Sequence, residues 1–521
     1  MVRVLAIFYV LVACGGQASH DAAVGPATRA PAAGDFPDNP LLAHVPADTP
    51  YVFATFKPIP QEYATATFGR YVPVLRRMLD DAIAAHPDSE ANDGLRFVRD
   101  ELDTMSGPHL ERLGFSPKAR WVIYGLGLYP VARVELASGA RVLDTAKRFA
   151  AAFHTTVPAP TRRGDSELWR IDDESKWTIV IALREHELVV AAAPPATIDA
   201  NLAAILGEQK PPRAIDVAEL RALAVRDGFT GQGLGFADVA RIAALALPAA
   251  TSVDCRAAVA LAAHHVPRVA IGMDDLGAHH VGAGLVVELA PDILADARGL
   301  RGTLAGFDQL VAQKPVGAFA AAFDLERGRA LLGRVATAAH VLAGRCSDSD
   351  LGELADELRR AATEPLPPYV AGAHGGLAAV TKLVVGPGGP TTIEGYGVLH
   401  HDHVGELVKL IAAELPELDL RADGRAHPLP AKLQYPGHFA LAADALAVAL
   451  GKDSERTATS LLSGKPVPAP LAYFSIDYSQ LAPALGLEGP SAAIVSGFGP
   501  VTMQLTVDDR GLVMWSTMEL H

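Results

Sequence analysis

Trp177–Leu183 (WTIVIAL) and Glu187–Ala192 (ELVVAA) are two runs of aliphatic and β-branched residues, separated only by Arg184-Glu185-His186. Runs of this length and composition predict two strands, and the short polar break between them predicts an antiparallel hairpin. Pro194 or Pro195 then opens a helical segment that reaches Leu206, because proline suits the first turn of a helix. A hairpin followed by a helix is therefore the unit that decides the fold.

The same unit recurs on both sides of this stretch. The other predicted hairpins, each with its following helix, are Arg120–Gly125 and Pro130–Leu136 before Ala140–Phe153, His374–Val385 and Thr391–Leu399 before His403–Ala413, and Phe439–Ala443 and Leu446–Leu450 before Ser454–Leu462. Ser138 is placed to cap the first of these helices. Hairpins that alternate with helices predict an α+β fold, with antiparallel sheets and helices packed on one face.

A long helical segment follows the first predicted strand, Tyr51–Phe56. Ile59–His86 has helical periodicity, with apolar residues such as Leu75 and Met78 on one face, and a second helix is predicted near Glu90–Leu113. Pro315–Phe323, Leu325–Leu342 and Asp350–Ala362 repeat this order of one strand and two helices. The matched order predicts an internal duplication into two α+β halves, residues 42–312 and 313–521.

The N-terminus has the pattern of an export signal. Residues 1–13 (MVRVLAIFYVLVA) carry one positive charge, Arg3, before about ten uncharged residues, too few for a membrane-spanning helix. Leu11-Val12-Ala13-Cys14 resembles the lipobox of bacterial lipoproteins. The resemblance implies that residues 1–13 are a signal peptide and that Cys14 becomes the acylated N-terminus after cleavage, with the lipid as the link to a membrane.

Residues 14–41 are rich in glycine, alanine and proline without any period, which is typical of a flexible tether. The expected location is the cell envelope. Gly15 after the cysteine is not an inner-membrane retention signal, so the outer membrane is favoured if the host is Gram-negative.

The charge balance excludes one class of partner. The chain has 59 acidic and 45 basic residues and a net charge of −14, with no long run of lysine or arginine. Nucleic-acid binding requires cations that neutralise phosphates, so no nucleic-acid partner is expected. The same charge disfavours docking on anionic lipid headgroups.

Besides Cys14, the chain contains only Cys255 and Cys346. An even pair in an exported protein predicts one disulfide, with two buried free thiols as the alternative.

Histidines give the one hint of chemistry. His400, His401 and His403 flank Asp402, and imidazoles with a carboxylate are ligands that zinc prefers. One hypothesis is a metal site here, completed by a distant group such as His374 or His427. The alternative is a capped helix start, with Asp402 as the cap. The sequence lacks the common nucleophile, phosphate-loop and zinc-protease motifs, so no catalytic residue and no cofactor are predicted.

Val45-Pro46-Ala47-Asp48-Thr49-Pro50-Tyr51-Val52 resembles the start of a family of secreted bacterial proteins of unknown function. That resemblance implies fold and location only. The leading hypothesis is a lipid-anchored envelope protein with a non-enzymatic binding or structural role, whose partner is another envelope protein. The alternatives are a carrier of an apolar ligand in a cleft between the halves, and a metal-dependent hydrolase built on His400–His403.

Overall fold

The computed structural model describes residues 36–103, 106–172, 176–247, 251–346, 349–386, 389–418 and 420–521. These residues form two compact units. The N-terminal unit holds residues 36–247 and 268–283, and the C-terminal unit holds residues 251–267 and 284–521. Their strands pair antiparallel and alternate with helices, so the fold is α+β, as predicted.

The N-terminal unit contains seven helices and nine strands among its described residues. The helices are α1 (Gln61–Ala85), α2 (Asn92–Asp103), α3 (Gly107–Arg112), α4 (Gly139–Ala152), α5 (Pro195–Ile205), α6 (Val217–Asp227) and α7 (Val239–Ala246). The strands are β1 (Tyr51–Ala54), β2 (Trp121–Leu126), β3 (Tyr129–Glu135), β4 (Thr161–Arg163), β5 (Ser166–Asp172), β6 (Thr178–Leu183), β7 (Glu187–Ala193), β8 (Leu234–Asp238) and β9 (Arg268–Leu276). Ser138 caps α4 by accepting a hydrogen bond from the Arg141 N–H, as predicted.

The sheet of the N-terminal unit runs in the order β4-β5-β6-β7-β3-β2-β1-β8-β9. The first strand of the chain therefore lies inside the sheet, where Val52 is opposite Tyr124 of β2 and Phe236 of β8. Alternate residues of β1 are buried, which gives the sheet one core face. Gly235 of β8 lies so close to β1 that a Cβ atom there would be 2.0 Å from the carbonyl oxygen of Val52.

The described residues of the C-terminal unit form ten α-helices and the remaining strands. The helices are α8 (Val253–His265), α9 (Pro291–Arg298), α10 (Phe307–Ala312), α11 (Leu325–Cys346), α12 (Ser349–Thr363), α13 (Pro368–Ala371), α14 (Val404–Glu414), α15 (Ser454–Leu462), α16 (Tyr478–Ala484) and α17 (Gly489–Ser496). The strands are β10 (His280–Glu288, from residue 284 onward), β11 (Thr303–Ala305), β12 (Gly317–Ala322), β13 (Ala373–Gly386), β14 (Gly389–His401), β15 (Ala426–Pro428), β16 (Gly437–Leu441), β17 (Ala445–Leu450), β18 (Pro466–Pro468), β19 (Ala472–Asp477), β20 (Phe498–Val507) and β21 (Gly511–Leu520).

The main sheet of this unit runs in the order β15-β16-β17-β14-β13-β12-β19-β20-β21. The order from β15 to β20 repeats the order from β5 to β9 in the N-terminal unit, strand for strand. In particular β12 lies between β13 and β19, as β1 lies between β2 and β8. The core beneath this sheet is made largely of alanine, with Leu377, Tyr396 and Tyr473 as its larger members.

The compact units divide the chain at 283/284, whereas the sequence predicted a division between residues 312 and 313. Strand β10 pairs with β21, and a Cβ atom on Gly511 would lie 2.0 Å from the carbonyl oxygen of Val287. This close pairing assigns residues 284–312 to the C-terminal unit. Helix α8 also belongs there, although it comes before β9 in the chain. Among the described residues, no helix is both long and apolar enough to cross a membrane.

Candidate functional site

The histidines of the predicted metal site are separated by the backbone that carries them. His400 and His401 are the last two residues of β14, so their side chains leave opposite faces of the sheet. The rings of His401 and His403 are 6.4 Å apart between centroids. Nδ1 of His401 accepts a hydrogen bond of 2.9 Å from the His403 N–H, which engages that nitrogen in the turn.

Of the more distant groups that could complete the site, His374 reaches Asp402 of the cluster, whereas His427 pairs with a carboxylate outside it. Nε2 of His374 lies 2.6 Å from Asp402, and Nε2 of His427 lies 3.1 Å from Asp423. The described residues contain no group of three His, Cys, Asp or Glu side chains placed to hold a metal ion. The structure therefore does not bring His400, His401 and His403 together as the metal hypothesis requires.

The helix start at this position also differs from the capped start that the sequence favoured. The residue before α14 is His403, and its side chain makes no capping hydrogen bond. Asp402 instead faces His374, whose hydrogen bond holds the pKa of the Asp402 carboxyl below its usual value. The pKa of the His400 imidazole is lowered, chiefly because the side chain is partly buried.

Cys255 and Cys346 are joined by a disulfide, with their Cα atoms 4.6 Å apart. Cys255 lies in the first turn of α8, and Cys346 is the last residue of α11. The bond therefore holds α8 against α11, where Ala258 and Ala336 are also buried. Cys14, the predicted lipidation site, lies outside the described residues.

Helix α1 presents an apolar surface that the fold does not cover. This surface, which we call the α1 face, consists of Leu75, Met78 and Ala82, which follow each other at helical spacing and are exposed. Leu75 is 42% exposed and Met78 is 45% exposed, and no residue of this 25-residue helix is buried. Helix α1 packs against α2, toward which Asp80 forms an ion pair of 3.2 Å with Arg99. The sequence predicted an apolar face that also includes Leu79 and Ile83; those two side chains are partly buried, whereas Leu75 and Met78 are exposed.

A second feature is a groove in the C-terminal unit, with a volume of about 750 Å³, beside the start of α15. Its walls include His438 of β16 and Ser454, the first residue of α15. Oγ of Ser454 lies 2.9 Å from Nδ1 of His438, and Ser454 is only 5% exposed. No sequence motif predicts this pair, because the pairing of β16 with β17 brings two separate segments together.

The backbone at the start of α15 has an unusual conformation. Asp453 adopts a left-handed φ of +62°, and its side chain makes no capping hydrogen bond to the helix. Gly451, two residues earlier, has a φ of +93°. A non-glycine residue in the left-handed region stores strain of about 1–3 kcal/mol, and such strain is concentrated at functional sites. The backbone conformation of this turn is therefore not explained by helix capping alone.

Comparison with known proteins gives no match for this chain: no protein family, no curated protein and no solved structure is significantly similar to it. The candidate sites therefore depend on the geometry of the chain itself.

Proposed function

We propose that this chain is a lipid-anchored envelope protein that binds another envelope protein through the α1 face. The observation that carries the proposal is the exposure of Leu75 and Met78 on a helix that buries none of its residues. Contiguous apolar surface on a folded protein marks an interaction site more often than it marks chance. The anchor is the lipid expected on Cys14, and the expected location is the outer membrane in a Gram-negative host.

The helix of the C-terminal unit that corresponds to α1 indicates which side chains the partner of the α1 face presents. We propose that the units descend from an internal duplication, because seven successive strand pairings are the same in both. Helix α11 follows β12 as α1 follows β1, so α1 and α11 are equivalent. Helix α11 packs against α8, an alanine-rich helix. The partner of the α1 face is therefore a helix with small apolar side chains.

The charge of the chain favours a protein partner over a lipid surface. The net charge of −14 repels anionic headgroups and nucleic acids alike. The described grooves of the C-terminal unit are lined mostly by polar and charged side chains, so they give no support to the apolar-ligand carrier.

The test is photo-crosslinking in the envelope, with a benzophenone amino acid placed in the full lipidated chain at position 75 or 78. The matched control is position 77, which is exposed on another side of α1. We expect cross-links from 75 and 78, and not from 77, to a helical peptide of one envelope protein that is rich in small apolar residues. Cross-links to lipid, to a second copy of this chain, or equally from position 77 would contradict the proposal.

A charge variant separates binding from folding. With a third probe at the exposed position 82 of the α1 face, Leu75→Glu with Met78→Glu should abolish the cross-link, because a carboxylate buried in an apolar interface is strongly unfavourable. Both side chains are more than two-fifths exposed, so the thermal unfolding midpoint should change little. A variant that unfolds instead would show that the α1 face is part of the core.

A further inference from the structure

We propose that Ser454 and His438 form a nucleophile–base pair that hydrolyses small polar carboxylic esters. This activity lies in the C-terminal unit and is independent of the α1 face. Its basis is the 2.9 Å hydrogen bond between the Ser454 hydroxyl and Nδ1 of His438 at the wall of the groove. A hydroxyl within hydrogen-bond reach of an imidazole is the arrangement that activates serine as a nucleophile.

The fold positions both side chains on rigid elements. His438 lies on β16 opposite Ala449 of β17, and the chain passes from β17 through the turn at Gly451–Asp453 directly into α15. A short strand-to-helix turn of this kind fixes the hydroxyl relative to the imidazole. The left-handed Asp453 immediately precedes Ser454, so the strained residue is adjacent to the reacting atom.

The start of α15 can also stabilise developing negative charge. The first-turn N–H groups of a helix have no partner within the helix, and the Asp453 side chain does not cap them. Such N–H groups are suited to an oxyanion, whose stabilisation is commonly the largest single contribution to acyl transfer. Ser454 is itself in this first turn, so the donors and the nucleophile come from the same element.

The groove limits the substrate. Its volume of about 750 Å³ is in the range of small-molecule sites. Arg456, Thr459 and Ser460 line it together with the carboxylates of Asp453 and Glu455, so it favours a polar ester over a fatty one.

In the first step, Oγ of Ser454 attacks the ester carbonyl carbon while its proton passes to Nδ1 of His438. The tetrahedral intermediate then expels the alkoxide, which takes that proton from His438 and leaves as the alcohol. Water attacks the acyl-serine and gives one proton to His438. The second collapse breaks the bond from the acyl carbon to Oγ, and Ser454 recovers the proton, so the net reaction is ester plus water to acid plus alcohol.

The test uses a fluorophosphonate probe and p-nitrophenyl acetate on the full chain. We expect one probe per chain on the peptide that contains Ser454, and no labelling of Ser454→Ala. Ser89→Ala, which removes an exposed hydroxyl outside the groove, is the control and should label normally. His438→Gln should slow labelling and ester turnover by about 100-fold, the lower range of general-base effects.

No labelling of the native chain, or labelling that persists in Ser454→Ala, would overturn the proposal. If Ser454→Ala unfolds, Ser454→Cys provides the second measurement. The paired His438 should make its thiol react with iodoacetamide at neutral pH much faster than the thiol of Ser460→Cys. Equal alkylation rates for these two variants would also overturn the proposal.

Discussion

Arg133 donates a hydrogen bond of 2.6 Å to the carboxylate of Glu187, at a position where the arginine side chain has no exposure to solvent. The same guanidinium donates a second bond of 2.6 Å to the carbonyl oxygen of Ile205, the last residue of α5. One buried cation therefore joins β3, β7 and the C-terminal end of α5, where it also opposes the negative end of the helix dipole.

Replacement of Arg133 by methionine should lower the free energy of unfolding by about 3 kcal/mol, because Glu187 is left with Arg184 alone and the Ile205 carbonyl loses its buried donor. Urea denaturation of the native and variant chains measures the difference. Arg163→Met, which removes a solvent-exposed ion pair with Glu208, is the control and should change the free energy by about 1 kcal/mol or less. Equal effects of the two variants would contradict the role of burial.

Acidification should destabilise the protein through His400. Burial lowers the pKa of this imidazole from the ordinary value of 6.5, so below pH 6.5 the unfolded chain binds the proton more readily than the folded chain does. Stability is therefore lost as the pH falls below that value. The decrease in melting temperature between about pH 7.5 and about pH 5.5 should be smaller in His400→Gln than in the native chain. His86→Gln, at an exposed position, is the control, and a decrease identical in all three chains would reject the assignment.

Loss of the disulfide should lower stability without changing the strand order. The bond closes a segment of 91 residues, and a cross-link of this kind contributes about 2–4 kcal/mol, in part by restricting the unfolded chain. The double variant Cys255→Ala, Cys346→Ala measures this loss by denaturation. Mass spectrometry under non-reducing conditions should detect the linked peptides in the native chain, and two free thiols would refute the bond.

Gly235→Ala should destabilise the N-terminal sheet. The added Cβ atom would lie 2.0 Å from the Val52 carbonyl oxygen, so β1 and β8 must move apart, at a cost of about 1–3 kcal/mol or more. Gly69→Ala in α1 is the matched control, since apart from the adjacent helix backbone nothing lies within 4 Å of its added methyl group. Alanine favours helix over glycine, so the control should be stabilised by about 0.5–1 kcal/mol. A neutral Gly235→Ala would show that the strands are less tightly paired than described.

Cys14→Ala should abolish lipidation. An alkynyl fatty acid fed to the host should label the native chain and Cys255→Ala, and should not label Cys14→Ala. Detergent phase partition should show the same distinction, with the unlabelled variant in the aqueous phase. Label that persists in Cys14→Ala would contradict the lipobox interpretation.

Much of the fold could be predicted from local patterns in the sequence. The β6–β7 hairpin, the cap at Ser138 and helix α15 follow from runs and residues that lie next to each other. Strands β4 and β5 were not predicted, because β4 is short and polar and β5 carries no apolar alternation. Helix α8 was also missed, since its alanine-rich sequence has no clear apolar face and its burial depends on α11.

The candidate sites were harder to predict, because proximity in sequence is a poor guide to proximity of side chains. His400 and His401 are neighbours in the chain and are separated by the pleat of β14. Ser454 and His438 are distant in the chain and are brought together by strand pairing. The exposure of the α1 face could not be predicted either, since periodicity indicates an apolar surface without indicating what covers it.

The central place of β1 has a consequence for how the chain matures. Val52 of β1 pairs with its second neighbouring strand only after β8, which contains Phe236, has joined the sheet. Strand β12 depends on β19 in the same way. Closing such long segments slows folding, and an unpaired strand edge is a template for aggregation during the delay. A chain that emerges with its N-terminus first would therefore expose the edge of β1 until the hairpins between β1 and β8 have also emerged. Its folding yield should therefore depend on chaperones more strongly than its final stability does.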